Sequence, residues 1–386
     1  MLLLIVGLIL FIGLVVVHEL GHFWVARRNG VDAEEFGIFF PPTLWRKKMK
    51  GGWDFTINLL PLGGFVKLKG EYDEDKRPGS FGAATTWAKT KIMLAGVVVN
   101  LVAAVLLFTV LALTGMPKLV SNQFTVASDT KIIRQDVYVG GVTAGSPAAK
   151  AGLQSEDKIV TITAEAGKSY EIGQNDLPTV TKSLAGQEVT IEFMRDGQTK
   201  TATTRLNSEK AVTESIAAGS PKGYLGVAPV ENVVTRSTWS APIVAVGITG
   251  QFTKLTLQGL WSALRGLGSI IAATATGNTV ARQHGQAAAS EQVSGPVGIF
   301  MILKSGSVLG FSYILMIIAL ISLTLAIMNI LPIPALDGGR VFVMMIARLL
   351  KKPLTRQIEE RVYGAGFIAL IVLIIVITIV DVKRFF

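Results

Sequence analysis

Residues Leu14 to Ala26 read LVVVHELGHFWVA, and their place in the chain decides its class. No charged residue occurs from Met1 to Val17, so the stretch continues an apolar run long enough to cross a bilayer, for which about 20 such residues are required. Within it stand His18, Glu19 and His22, the pattern H-E-x-x-H. At helical spacing the two imidazoles lie on one face and can chelate Zn²⁺, while Glu19 is placed to take a proton from a water on the metal. The motif points to hydrolysis. A histidine pair satisfied inside a core helix is the bland alternative, and the cost of burying a carboxylate and two imidazoles at membrane depth weighs against it. Two of the chain's three histidines are here; His284 has no neighbour that completes a ligand spacing and reads as a surface residue.

Hydrophobic residues fill 50% of the 386 positions and the mean hydropathy is +0.50, which indicates a membrane protein with a soluble insert. Cysteine is absent, so a disulfide framework and thiolate zinc sites are excluded. The net charge of +10 raises the question of nucleic acid, and its location answers it. From Lys118 to Arg236 thirteen basic residues meet thirteen acidic ones, whereas Arg27–Lys91 carries twelve against eight and Arg340–Arg361 six against two. Basic clusters beside apolar spans are the positive-inside signal, with some attraction to anionic lipid in the bilayer. No nucleic-acid module is visible.

Four stretches read as transmembrane helices: Leu2 to Ala26, Ile92 to Gly115, Val308 to Leu331 and Tyr363 to Val380. The first lacks the positive n-region of a signal peptide and exceeds its usual apolar length, so it reads as a permanent span. With the basic segments cytoplasmic, both termini and the chain from Pro117 to about Gly306 are expected outside.

Between the first two spans, Trp53, Phe55, Ile57 and Leu59 alternate with polar residues, and Pro61 to Gly64 supplies a turn before Phe65 to Leu68. Residues 52–70 are therefore expected to form a β-hairpin. Its edge either pairs with an unwound substrate segment or simply covers the helices. Phe36 to Trp45 reads as an apolar loop at the membrane surface, since Pro41-Pro42 cannot continue a helix. The acidic cluster Glu71 to Asp75 reads as a solvated loop. Asn100, in AGVVVN, either hydrogen-bonds a neighbouring helix or contacts substrate backbone.

The composition from about Thr125 to Glu231 is that of a soluble α+β domain. Tyr138–Val142, Lys158–Thr163, Glu188–Met194 and Thr199–Leu206 read as strands, the last two joined by Asp196-Gly197, and GSPAAKAGL (Gly145 to Leu153) as a short helix begun by Ser146-Pro147. That helix and the following D-x-I-x-x-I pattern resemble a bacterial PDZ domain. The resemblance implies that Tyr224, Leu225, Gly226 and Val227 form a carboxylate-binding loop and its strand, in permuted order; a plain connector to the membrane is the competing reading. Ala241 to Ile271 suits an amphipathic interfacial helix, and Ala272 to Glu291 a loop or weak helix. The third span ends in NILPIPALDGG, Asn329 to Gly339, where Pro332 and Pro334 stop the helix and Gly338-Gly339 permits a tight turn.

Depth brings these pieces together. His18 stands about 25 Å along the first span, near its cytoplasmic end, and the third span descends about 35 Å in the opposite direction before its prolines, so Asp337 arrives at the same level. Two histidines, one carboxylate and a water make a four-coordinate zinc site with an open position. Asn329 is expected either to bind substrate backbone and the oxyanion or to cap broken backbone.

H-E-L-G-H in the first span, GGFVKLKGE (Gly63 to Glu71), AGVVVN, the PDZ-like insert, SGPVGI (Ser294 to Ile299) and NILPIPALDGG, in this order, resemble the site-2 protease family, its single-PDZ bacterial members in particular. The resemblance implies a polytopic α-helical protein of the bacterial inner membrane with four transmembrane helices, a membrane-associated β-hairpin and an extracytoplasmic PDZ-like α+β domain. The expected divisions are residues 1–116 and 307–386 for the membrane halves, 117–236 for the PDZ-like domain and 237–306 for the interfacial helix and linker. It also implies a zinc metalloprotease with ligands His18, His22 and Asp337 and base Glu19, which cuts a single-span membrane protein, such as an anti-sigma factor, after another protease has shed its ectodomain. Phe65, Val66, Lys67 and Leu68 would hold substrate as an added strand, with Asn329 and Asn100 on its backbone. Where members often show G-F-G-P, this chain has Phe39-Phe40-Pro41-Pro42. A non-catalytic PDZ adaptor with structural zinc is disfavoured because structural zinc normally has four protein ligands, and a zinc transporter because the second and fourth spans carry no ionisable path.

Overall fold

The computed structural model describes residues 2–276 and 295–385; His284 and Ser294 lie outside the described residues. The chain forms two compact units, Met1–Leu111 with Ala241–Phe386, and Ala112–Ser240.

Among the described residues the first unit contains four helices long and apolar enough to cross a membrane: α1 (Leu2–Arg28), α2 (Thr86–Thr114), α8 (Phe311–Ile330) and, over Arg356–Val382, α10 (Arg356–Phe385). Three further helices are α6 (Ala241–Thr276), α7 (Pro296–Leu309) and α9 (Asp337–Leu349). α1 and α2 approach closely because Gly21 has no side chain: a Cβ there would stand 3.1 Å from the Ala95 carbonyl oxygen. Small residues at such crossings let helices gain van der Waals contact where lipid removes the hydrophobic incentive. Further along α1, Leu14 joins Leu303 of α7 and Ile314 and Ile318 of α8 in a buried cluster. Gly310, at φ +112°, divides α7 from α8. The apolar run from Val308 conceals that break, and the expected linker is already helical from Pro296.

Two long strands, β1 (Ala33–Lys48) and β2 (Asp54–Leu68), pair antiparallel between α1 and α2, and here the structure corrects two expectations. Phe36–Trp45 is strand rather than loop, and the two halves of the expected hairpin do not pair with each other. Phe36 faces Val66 on one side and Phe55 on the other, and Gly37 likewise faces Phe65 and Thr56, so the start of β1 lies between the halves of β2. Pro41 and Pro42 fall at the register shift between Phe40 and Thr43, where a missing N–H does least harm. Phe39, where a glycine is usual in the resembling family, keeps a left-handed backbone with φ +68°. The sheet docks on α1 through Phe36, whose ring meets that of Phe23 edge-on at 5.9 Å. Among the described residues no strand covers the outer edge of Phe65–Leu68.

The acidic loop is not simply solvated. Asp73 forms ion pairs with the fully buried Lys89 and with Arg348 at 3.5 Å, and its N–H donates to Glu359. An ammonium buried at that point without a partner would carry a desolvation penalty that the carboxylate offsets. α6 is a single long helix, and one face of its first turns is packed. Ala241, Val244, Ala245 and Ile248 are buried at i, i+3, i+4 and i+7, and Phe252 stacks on Phe108 of α2. Beyond it Leu255, Trp261 and Leu264 are exposed.

The second unit is a seven-stranded sheet. Its strands are β3 (Met116–Pro117), β4 (Lys131–Val142), β5 (Lys158–Ala164), β6 (Ser169–Glu171), β7 (Glu188–Arg195), β8 (Gln198–Arg205) and β9 (Val227–Arg236), in the order β3-β9-β4-β5-β7-β8 with β6 beside β5. Three short helices, α3 (Pro147–Lys150), α4 (Leu177–Ser183) and α5 (Glu209–Ala217), complete it. Val137, Ile159, Ile162, Val189 and Ile191 fill the core. As the sequence leads one to expect, the Ser146 side chain accepts from the Ala149 N–H to cap α3, with Pro147 in the first turn. Asp196 and Gly197, both at positive φ, turn β7 into β8.

Candidate metal centre

Three donors converge from two distant segments. One turn of α1 stacks His18 and His22, their ring centroids 4.8 Å apart. Asp337 reaches them because the chain reverses sharply after α8. Pro332 and Pro334 end the helix, the Ile333 N–H donates to the Leu331 carbonyl, and the Leu336 N–H donates to that of Ile333. A Cβ on Gly338 would overlap the Ile330 carbonyl and one on Gly339 that of Ile333, so only glycines allow the turn to close. Asp337 then stands in the first turn of α9, where unpaired N–H groups favour a carboxylate.

The donor atoms form a nearly equilateral triangle: His18 Nε2 to His22 Nε2 3.2 Å, His18 Nε2 to Asp337 Oδ2 3.3 Å, and His22 Nε2 to Asp337 Oδ2 3.4 Å. A tetrahedral zinc with bonds of about 2.0–2.1 Å holds its ligand atoms roughly 3.3–3.4 Å apart, so the triangle fits one face of that coordination sphere. Asp337 Oδ2 is buried and accepts no hydrogen bond, as an oxygen reserved for a cation would be. Burial pushes the Asp337 carboxyl up, but the two imidazoles outweigh it and hold the group below the usual carboxylate range. Among the described residues no other group of three such side chains meets in this way.

Beside the triangle lies a cavity of about 120 Å³, lined by Glu19, Val66, Leu68, Glu71, Phe81, Ile92, Met93 and Arg340 as well as by the three donors. At about 30 Å³ per water it has room for a few waters or a short piece of peptide backbone. Val66 and Leu68 face it. Phe65 and Lys67 alternate away: the first stacks on Phe40 at 6.2 Å, the second pairs with Glu34 at 3.1 Å. Asn329, half-buried in the last turn of α8, is not part of this lining. In the second unit Leu225 and Gly226 are buried, Tyr224 is half-buried and Val227 begins β9.

The rings are held from behind. His22 Nδ1 lies 2.8 Å from the Ile92 carbonyl, to which it donates when Nε2 is free for a ligand. Asn100 is fully buried, with its side-chain amide nitrogen 3.2 Å from His18 Nδ1 and its backbone carbonyl accepting from the Ser322 hydroxyl at 2.8 Å. It therefore faces a histidine rather than an open surface.

Gly96 escaped the sequence reading, although AGVVVN places it one turn before Asn100 on the same face. A Cβ at Gly96 would overlap His18 Cε1 and His22 Nε2. Gly96→Val is expected to cut bound zinc at least tenfold, because ligands must be held within about 0.5 Å, while helical content by circular dichroism stays unchanged. Elemental analysis checks it, and a full complement of zinc in the variant would show that α2 does not confine the rings.

The model of peptidase family M50 matches residues 6–373. A Clostridium perfringens protein named as a zinc metalloprotease is 30% identical over 379 residues, covering 97% of each chain. The regulator of sigma-E protease of Salmonella typhimurium is 26% identical over 451 aligned positions, covering 93% of this chain and 94% of its own. A Fusobacterium nucleatum protein, also named as a zinc metalloprotease, is 26% identical and covered to 97%.

Proposed function

This chain belongs to peptidase family M50, the site-2 proteases, and is a metalloprotease, and from that premise we propose that it hydrolyses peptide bonds inside the membrane spans of single-span proteins. The observation that carries the reading is the donor triangle itself, closed between a membrane helix and a turn over three hundred residues away. His18, His22 and Asp337 would hold zinc. When bound, the ion supplies Lewis acidity towards a water and a scissile carbonyl. Glu19, in the wall of the same cavity, takes the proton of the attacking water and returns it to the leaving amine.

Substrate enters as an added strand on the free edge of Phe65–Leu68, with Val66 and Leu68 against it. An unwound membrane helix exposes N–H and C=O groups that need partners, and a strand edge offers them. Asn329 is assigned to the substrate backbone on the opposite side. Charge sets the topology, with the metal centre towards the cytoplasm and both termini on the opposite side: Arg27 and Arg28 close α1, Arg340 and Arg348 lie in α9, and Lys351 and Lys352 follow it.

The second unit is read as a PDZ-like domain outside the membrane. The carbonyls of Tyr224, Leu225 and Gly226 accept from the N–H groups of Asn207, Ala148 and Thr143. The loop's own N–H groups meet no backbone acceptor among the described residues, as a carboxylate-binding loop requires. β9 pairs with β4 along its length but with β3 only at Val234 and Thr235, with the Lys118 N–H donating to the Val233 carbonyl, so Val227–Glu231 keeps one edge for a peptide. Similarity to the sigma-E regulator across the whole chain favours a membrane-bound anti-sigma factor, already shed of its ectodomain, as substrate.

Purified protein in detergent is expected to cleave a single-span substrate within its span, to lose that activity to 1,10-phenanthroline and to recover it when about one equivalent of Zn²⁺ per chain is returned. Cleavage indifferent to the chelator, or confined to soluble segments, would overturn the reading.

A further inference from the structure

We propose that Asn100 is a positioning residue for the metal: its side-chain oxygen accepts a hydrogen bond from the Nδ1–H of His18 and so keeps Nε2 of that ring free of a proton and aimed at the cation. The inference rests on the zinc reading above and adds a residue to it. A neutral imidazole carries one proton, and the nitrogen that binds a cation must be the other one. For His22 the matter is settled by the Ile92 carbonyl, which can only accept. For His18 the partner of Nδ1 is the Asn100 amide, 3.2 Å away and fully buried.

An amide can face the ring in two ways, with nitrogen and oxygen alike in shape. With Nδ2 towards the ring, Nδ1 must accept, and the proton of His18 sits on Nε2, between the ring and Asp337, where it excludes a cation. With Oδ1 towards the ring, the proton moves to Nδ1 and Nε2 is free. Oδ1 has no hydrogen-bond partner of its own, so turning the amide breaks no bond elsewhere. The backbone of the same residue fixes its place, since the Asn100 carbonyl accepts from Ser322 of α8. Asn100 thus touches both segments that deliver ligands, α1 directly and α8, which leads to Asp337, through Ser322.

A mere helix-to-helix contact would treat aspartate and leucine at this position as comparable disturbances. The tautomer role separates them, because Asp accepts from Nδ1–H as a metal-bound histidine's usual partner does, and Leu of similar size cannot. The test uses the full chain in detergent, with zinc affinity measured by competition against a chelator. It also uses ¹⁵N-histidine NMR of the zinc form, readable because the chain has three histidines. Asn100→Leu is expected to weaken zinc binding by about 10–100-fold and to lose the protonated Nδ1 signal of His18, while Asn100→Asp keeps both. An Asn100→Asp protein as weak as Asn100→Leu overturns the assignment, as does Asn100→Leu with wild-type affinity. If Asn100→Leu does not fold, the Asp variant decides alone, since affinity lost in it contradicts an acceptor role. A wild-type chain that takes up no zinc overturns the metal reading as well, whereas zinc lost in Asp337→Ala but indifferent to Asn100 overturns this inference only.

Discussion

Glu19→Gln is expected to lower kcat/KM on a single-span substrate by on the order of 10²–10⁴-fold, the usual contribution of a general acid–base. That corresponds to about 3–5 kcal/mol of transition-state stabilisation. Bound zinc should stay at the wild-type level, because Glu19 lines the cavity without belonging to the donor triangle. Glutamine keeps the size and the hydrogen-bonding reach of the side chain and removes its basicity. It also keeps the packing against Gly64, where a Cβ would already stand 3.1 Å from Glu19 Cγ. The comparison needs both purified proteins, the same substrate and elemental analysis of each. Equal cleavage with equal zinc would remove Glu19 as the base and point to a contaminating peptidase.

What could be read from the chain alone divides along the range of the forces involved. Apolar spans, His18, Glu19 and His22 at helical spacing, and the Asp196-Gly197 turn are legible because each depends on neighbours a few residues away. The approach of Asp337 to His18 is legible for a different reason: on the charge reading, span lengths and basic flanks put the two at one depth. The sheet was not. Phe36 shows no alternation that would mark it as a strand, since it is bracketed by Val66 and Phe55 at once, and pairing over such separations leaves no local period. Pro41-Pro42 argued for a loop, and the structure places them at a shift in register instead. Glu71 to Asp75 looked solvated because its partners, Lys89, Arg348 and Glu359, come from three other elements. Gly96 and Asn100 carried a signal of their own, a glycine and an amide one turn apart in an apolar helix, which marks a close approach before anything says what approaches.

Asp337→Ala should separate the metal from the chemistry in the opposite direction to Glu19→Gln. The substitution removes one vertex of the triangle and leaves two imidazoles at i and i+4, which still chelate but present no anionic ligand. Zinc affinity is expected to fall by at least about 100-fold, beyond the 10–100-fold typical of residues that only support a ligand, and cleavage to fall with it. The fold should survive. The reversal after α8 is closed by Gly338 and Gly339 against the carbonyls of Ile330 and Ile333, not by the carboxylate, and a first-turn acidic residue contributes only about 0.3–1 kcal/mol to its helix. Asp337→Glu is a sharper probe of geometry. It restores charge but carries the oxygen one methylene further, away from a point 3.3 and 3.4 Å from the two nitrogens, so partial zinc with poor cleavage is the expected result. Unchanged zinc in Asp337→Ala, by elemental analysis of protein with wild-type helical content, would reject Asp337 as a ligand and leave its buried, unbonded oxygen without a purpose.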